Sequence, residues 1–271
     1  MQKIEFQQAS GPGATNSSDL DATPALMQEI DRDYRAVTGF STPGQYKIFY
    51  SRIDPSPLLV LGQNPGGAEN GPSLAASSSF FENWEHDIPR FRNDPRYSLA
   101  RPLYDLLSAA LDTRSVDIIR QVPMTNVIFR RSRDTQSLSM DPRQAALEAK
   151  PFLSRIITAV QPRAILLISS TAYSLFTKLH CAPGTITESQ ANAVFTPNGR
   201  SPAQIFRRAD ALVECVGRTT PLLMVGHPSK YGSRGEWGQV TVALAESLAA
   251  LLMTPSTDAG LARDLPPLAG Y

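Results

Sequence analysis

The stretch "LLVLGQNPGGAENGP", residues 58–72, decides the fold. Its aliphatic beginning predicts a buried strand, which ends abruptly in a polar loop rich in glycine. Continuous apolar runs also occur in "PRAILLIS", residues 162–169, and in "PLLMVG", residues 221–226, and residues 122–129 are strand-like. Runs of this kind are typical of parallel strands that are buried on both faces.

Apolar residues at helical spacing predict helices between and after these strands, over residues 99–111, 142–160, 171–179 and 235–252. Asp141 is a suitable N-cap for the second helix, and Pro142 suits its first position. The alternation indicates an α/β fold, a three-layer α/β/α sandwich around a mainly parallel four-stranded sheet. Residues 181–218 have a mixed composition and receive no clear assignment.

Composition limits the possible classes of protein. The chain has 271 residues, of which 42% are hydrophobic, enough for one sizeable core. We expect a flexible N-terminal segment at residues 1–22, a single domain at 23–253 and a flexible tail at 254–271. Every apolar run is far shorter than the about 20 residues needed to cross a bilayer, and the first residues lack the order of a secretion signal. These features predict a cytoplasmic protein that does not bind a membrane, and we expect it to be a monomer.

The charged and sulfur-containing residues narrow the choice further. Cys181 and Cys215 are the two cysteines of the chain, too few for an iron–sulfur cluster or a disulfide framework. The net charge of +1 gives no global attraction for nucleic acid, so DNA binding would need local basic patches. Two such patches occur, "FRRSRD" with Arg130 and Arg131, and "SKYGSRG" with Lys230 and Arg234.

Three polar loops follow predicted strands. They are "GQNPGG" at residues 62–67, "TNVIFRRS" at 125–132 and "GHPSKYG" at 226–232. Ligands of open parallel sheets bind outside the carboxyl ends of the strands, so we expect these loops to converge on one site.

The three loops resemble the motifs of the uracil-DNA glycosylase superfamily, over residues 55–252. "GQNPGG" is similar to the first motif of its mismatch-specific thymine/uracil and single-strand-selective branches, and "HPSKYG" resembles the second motif, H-P-S-P-L. "MTNVIFRRS" resembles the middle of the mismatch-specific branch. The resemblance implies a monofunctional DNA glycosylase that flips out a pyrimidine nucleotide and hydrolyses its N-glycosidic bond, with no metal or cofactor and with DNA as its partner.

The resemblance also implies roles at the reacting bond. His227 would donate a hydrogen bond to O2 of the departing base, where negative charge develops. Asn64 stands where the main uracil-specific family has an aspartate. An amide cannot act as a general base but can hold the attacking water, so we expect a working but slower enzyme.

Other residues are expected to surround the base. Gln63 would offer its backbone amide, and Gly66 and Gly67 would leave room for close approach. Asn126 would read the base edge, although a flipped amide would suit cytosine as well as uracil. Phe80 or Phe81 would stack on the flipped base.

Contacts with the DNA are expected from the basic patches and from the loop after His227. Ser229 would bind a phosphate, and Tyr231 would fill the vacated base stack. The backbone contacts are assigned to Arg130, Arg131, Lys230 and Arg234.

The sequence leaves the substrate open. Gly66 replaces the tyrosine that blocks 5-substituents in the uracil-specific family, so uracil, mispaired thymine and bulky 5-modified pyrimidines of phage DNA all stay possible, which implies either base-excision repair or antiviral defence. A non-catalytic reader of flipped modified bases is the alternative. A phosphate-binding loop enzyme is disfavoured, because "GQNPGGAENG" lacks the Lys-Ser/Thr ending of that motif.

Overall fold

The computed structural model describes residues 22–40, 45–66, 100–112, 122–132, 137–189, 206–227 and 236–253. In chain order these residues form helix α1 (Ala22–Thr38), strand β1 (Leu58–Gly62), helix α2 (Ala100–Ala110), strand β2 (Met124–Asn126), helix α3 (Pro142–Val160), strand β3 (Ala164–Ile168), helix α4 (Ser170–His180), strands β4 (Thr187–Ser189), β5 (Phe206–Val213) and β6 (Arg218–Val225), and helix α5 (Glu236–Met253).

The strands form a single mixed sheet in the order β2-β1-β3-β6-β5-β4. The first four strands in this order are parallel, and β5 and β4 continue the sheet in antiparallel pairing. The parallel register places Gly62 beside Asn126, and Ile168 beside Val225. The carboxyl ends of β1, β2, β3 and β6 therefore meet at one edge, as the sequence predicted.

Alternate strand residues belong to two apolar clusters. Leu59 and Leu61 of β1 pack in the cluster that contains α1, α3 and α4, whereas Leu58 and Val60 pack in the cluster that contains α2 and α5. The β1, β3 and β6 residues in both clusters are fully or almost fully buried, which is the condition that requires continuous apolar runs.

The prediction of a four-stranded sheet was wrong, since the described residues form six strands. The additional strands β4 and β5 come from the region of mixed composition. In β5, "FRRADALV", buried and partly exposed residues alternate, and Ala209, Ala211 and Val213 face the core. Such a half-buried antiparallel strand has no continuous apolar run by which to recognise it.

Two further elements differ from expectation. Helix α1 was not predicted, yet its Tyr34 is fully buried and its ring contacts those of Phe129 and Phe152 edge-on, at centroid distances of 5.4 and 5.3 Å. Strand β2 covers three residues of the eight expected, and beyond it the N–H groups of Val127 and Ile128 bond to the consecutive carbonyl oxygens of Gly62 and Gln63, which is not the alternating pattern of a strand.

The helix predictions agree closely with the structure. Helix α3 begins at Pro142, and the Asp141 side chain accepts hydrogen bonds from the backbone N–H groups of Arg143 and Gln144, at 2.9 and 3.2 Å. This confirms the predicted N-cap. Within the described ranges, no helix is long and apolar enough to cross a membrane.

His180 gives the fold a dependence on pH. It is 1% exposed and stacks on Phe176 at 5.0 Å, and neither ring nitrogen has a hydrogen-bond partner within the described part of the chain. Burial and the nearby Lys150 charge lower the pKa of His180 to about 3. The unfolded chain takes up a proton near the ordinary pKa of about 6.5, whereas the folded chain does not.

We therefore expect the free energy of unfolding to be at its full value above about pH 6.5 and to fall as the pH drops toward 3. The contribution of His180 is up to about 1.4 kcal/mol per pH unit. The variant His180→Phe keeps the stacked ring and removes the titration, so urea unfolding between pH 7 and pH 4 should show a shallower loss. An equal slope in the two proteins would contradict this assignment.

Candidate active site

The candidate site lies where the loop after β1 meets the chain after β2. Three backbone N–H groups of the chain after β2 donate to carbonyl oxygens of this loop: Val127 to Gly62 at 2.9 Å, Ile128 to Gln63 at 2.9 Å and Ser132 to Pro65 at 3.2 Å. The N–H of Arg131 donates instead to the Gln45 oxygen, at 2.9 Å. The first three bonds extend the β1–β2 pairing beyond the sheet. These bonds hold residues 62–66 of the motif loop, of which Pro65 is buried and the others are half-buried or exposed.

Asn64 is oriented by Ser132. Its Nδ2 donates to the Ser132 hydroxyl at 2.8 Å and to the Pro65 carbonyl oxygen at 3.1 Å. Both bonds use the nitrogen end of the amide, and among the described residues no hydrogen bond reaches Oδ1 of Asn64. The oxygen end is thus the one that can accept from a water molecule. Ser132 belongs to the stretch "TNVIFRRS", but the resemblance of that stretch to the superfamily motif assigns no role to it.

Asn126 is 5% exposed, and its Nδ2 is a buried donor without a hydrogen-bond partner in the described part of the protein. Its Oδ1 lies against the backbone of Gly62, where an added Cβ would come within 2.2 Å of that oxygen. Gly62 is therefore required for the Asn126 side chain to occupy this position. An unsatisfied buried amide is costly, which indicates a ligand acceptor at this point.

Tyr50 lies beside Asn126. Burial raises the pKa of Tyr50, and the Arg131 charge and the nearby Asn126 amide, whose Nδ2 forms no hydrogen bond to the phenol oxygen, offset part of that rise. The Lys47 ammonium lies over the Tyr50 ring, 4.4 Å from its centroid. Tyr50 thus lies among Asn126 and two cationic side chains, and no sequence motif identifies it.

The two arginines of the "FRRS" motif point into the protein. Arg130 forms a bidentate ion pair with Glu148, at 3.0 Å from Nε to Oε1 and 2.7 Å from the second nitrogen to Oε2, and stacks over Phe40. Arg131 is 3% exposed and donates to the carbonyl oxygens of Gly66 and Tyr46, at 3.0 and 3.3 Å. Both side chains are thus engaged in internal contacts, which do not favour the predicted role of the two residues at the DNA backbone.

His227 follows β6 by two residues and is half-buried. Its strand end is joined to that of β3 by a 2.8 Å hydrogen bond from the Ser169 N–H to the Val225 oxygen. His227 therefore lies at the same sheet edge as Gln63, Asn64 and Asn126. Several expected site residues lie outside the described ranges: Gly67, Phe80, Phe81, Ser229, Lys230, Tyr231 and Arg234.

Gln63 and Ser169 face each other across the crevice between β1 and β3. The Ser169 hydroxyl lies 3.4 Å from Oε1 of Gln63. The next described helix after β1 is α2 on one face of the sheet, and the one after β3 is α4 on the other. Such a divergence is where open α/β sheets bind their ligands. Groups of three or more acidic, histidine or cysteine side chains that could hold a metal ion do not occur among the described residues.

A mostly parallel α/β sheet binds its ligand at the carboxyl ends of its strands, which is where this protein carries its polar motif loops. The family model of the uracil DNA glycosylase superfamily matches residues 50–239, and the chain belongs to this superfamily. This membership points to DNA glycosylase activity and to DNA as the ligand. No curated protein gives a significant match to the chain.

Gly62 and Gly66 allow a matched test of the site geometry. A Cβ at Gly62 would collide with Oδ1 of Asn126, whereas a Cβ at Gly66 meets no described heavy atom within 4 Å. We expect Gly62→Ala to lower base release at least about tenfold by displacing Asn126, and Gly66→Ala to fold like the parent protein and to keep a higher rate of release than Gly62→Ala. Rates of release and melting temperatures for the two variants provide the measurement. Equal rates would show that the position of Asn126 is unimportant.

Proposed function

We propose that this protein is a monofunctional DNA glycosylase that flips out an altered or mispaired pyrimidine and excises it by hydrolysis, leaving an abasic site. The unpaired buried Nδ2 of Asn126 carries the proposal. A pyrimidine satisfies this donor through O4, as in uracil or thymine, or through N3, as in cytosine derivatives. The adjacent loop is open at Gly66, which is exposed.

The reaction needs a positioned water more than a strong base. The C1′–N1 bond breaks with its electron pair moving to the base, the water oxygen bonds to C1′, and the proton that the water loses passes to the released base or to solvent. Oδ1 of Asn64, whose nitrogen end is bonded to Ser132, is suited to accept a hydrogen bond from that water. His227 would stabilise the charge on the departing base by donating to O2.

The remaining parts of the proposal concern the DNA. Ser229, Lys230 and Arg234 would bind phosphates, Tyr231 would take the place of the flipped base, and Phe80 or Phe81 would stack on it. We propose that the protein acts inside the cell as a monomer, through its single domain at residues 23–253 and without metal or cofactor. Because Arg130 and Arg131 are engaged internally, fewer cations than expected would bind the backbone.

The substrate is proposed in two forms. Uracil or mispaired thymine would make the protein a base-excision repair enzyme. A bulky 5-modified pyrimidine would make it a defence against phage DNA, and the open space around Gly66 supports this form, since the described residues leave room for a substituent. With either substrate, we propose that helices cover both faces of the sheet in three layers. We also propose that the chain combines features of the mismatch-specific thymine/uracil and single-strand-selective branches.

The first test is mass-spectrometric detection of free bases released from a DNA panel. The panel contains uracil, mispaired thymine, 5-hydroxymethyluracil and phage DNA with modified cytosines. We expect release of at least one base, and a loss of about 100-fold or more in Asn64→Ala and His227→Ala, with DNA binding nearly intact. Full activity in both variants would refute the site assignment. No release from any DNA would favour a non-catalytic reader of flipped bases.

The variant Gly66→Tyr separates the two forms of the substrate. A Cβ fits at this position, and the tyrosine ring should exclude 5-substituted bases before it affects uracil. We expect release of 5-modified bases to fall about tenfold or more relative to uracil. The reason is that a pocket that excludes one substituent changes the free energy of binding by about 1–3 kcal/mol. Competition between the two substrates in one reaction measures the ratio. An unchanged ratio would show that another side chain limits the pocket.

A further inference from the structure

Ser169 has a backbone conformation that a serine rarely adopts. It lies between the last residue of β3 and the first of α4, with φ 105° and ψ 151°. This region of backbone space is almost restricted to glycine, because a Cβ makes it strained. Residues held in such conformations cluster at active sites, and Ser169 lies at the sheet edge that carries the motif loops.

The backbone of Ser169 is fixed on every side. Its N–H donates to the Val225 oxygen of β6 at 2.8 Å, and its carbonyl oxygen accepts from the Tyr173 N–H of α4 at 3.1 Å. Its hydroxyl oxygen also caps α4, by accepting from the Ala172 N–H at 3.1 Å. These bonds explain how the conformation is maintained, but not why the residue is a serine.

Glycine would satisfy both requirements of the backbone. It adopts a positive φ without strain, and as an N-cap it is only slightly less favourable than serine. What glycine lacks is a hydroxyl hydrogen to donate. In Ser169 this hydrogen is directed to Oε1 of Gln63, 3.4 Å away across the crevice between β1 and β3.

We propose that Ser169 is a positioning residue for Gln63: its hydroxyl holds the Gln63 side chain and thereby fixes the place of the Gln63 backbone N–H that is expected to meet the flipped base. The inference rests on the proposed glycosylase function. The bond commits the Oε1 end of the carboxamide to Ser169, so the Nε2 end is turned away from β3. This role explains why position 169 carries a serine in a strained backbone conformation instead of a glycine.

Three single variants test this role. Ser169→Gly relieves the strain and removes the hydroxyl, so we expect a melting temperature about 2–4 °C higher and a kcat/KM for base release about tenfold lower. Ser169→Ala loses the hydroxyl but keeps the strain and loses the cap, so we expect the same loss of activity with a lower melting temperature. The matched control is Gln161→Gly, at the left-handed C-cap of α3 with φ 52°, which should gain stability without any change in base release.

A double-mutant cycle shows whether the effect passes through Gln63. In a Gln63→Ala background, Ser169→Gly should produce no further loss of kcat/KM, because the partner of the hydroxyl is absent. Base release at the parental rate in Ser169→Gly would overturn the proposal. A tenfold loss that persists in the Gln63→Ala background would also overturn it, as the serine would then act by another route.

One readout does not depend on activity. The side-chain amide signal of Gln63 in ¹⁵N-labelled protein is identified by its loss in Gln63→Ala, and it should shift and broaden in Ser169→Gly but not in Gln161→Gly. An unchanged signal would overturn the proposal. If the parent protein released no base from any DNA, the glycosylase function would fail, and this signal would still decide whether Ser169 positions Gln63.

Discussion

The contact between Gly62 and Asn126 is the constraint on which the site depends. The parallel register sets these residues side by side at the ends of β1 and β2, and only a residue without a Cβ leaves room for the asparagine amide. The same pairing continues past the sheet through the N–H groups of Val127 and Ile128. The loop that carries Asn64 is therefore positioned before any substrate arrives, which is the condition for electrostatic and positional catalysis.

Internal charges serve this rigidity. Arg131 donates to the Gly66 oxygen and is almost inaccessible to solvent, while Arg130 is neutralised by Glu148, which also accepts from the Tyr34 hydroxyl at 2.7 Å. Helix α1 is thus linked to the chain that follows β2. Two cations that a reading of the sequence would give to DNA instead join the N-terminal helix and the motif loop to the core, which is consistent with a chain whose net charge is only +1.

The parts of the fold that were predictable are those whose environment imposes one periodicity. The central strands β1, β3 and β6 are buried on both faces, so their sequences are continuous apolar runs. The start of α3 is predicted by Asp141 as N-cap and by Pro142 at the first position. Strand β5 was not predicted because only one of its faces is buried. The internal contacts of Arg130 and Arg131 were not predicted because the sequence does not distinguish an arginine in a buried ion pair or hydrogen bond from one on the surface. Gln63, Asn64, Asn126 and His227 were predicted from motifs, whereas the contacts of Ser132 and Ser169 depend on a geometry that a motif does not record.

An asparagine at position 64 alters what the rest of the site must do. Since an amide accepts no proton, Asn64 would hold the water of the proposed reaction without deprotonating it, and the barrier would have to fall mainly through stabilisation of the departing base and alignment of the water. Both effects depend on fixed donors and fixed distances rather than on the titration of a carboxylate. A site with this chemistry has reason to anchor Asn64 on Ser132 and to pin its loop by successive backbone bonds, because each displaced group loses a contribution that no general base can replace.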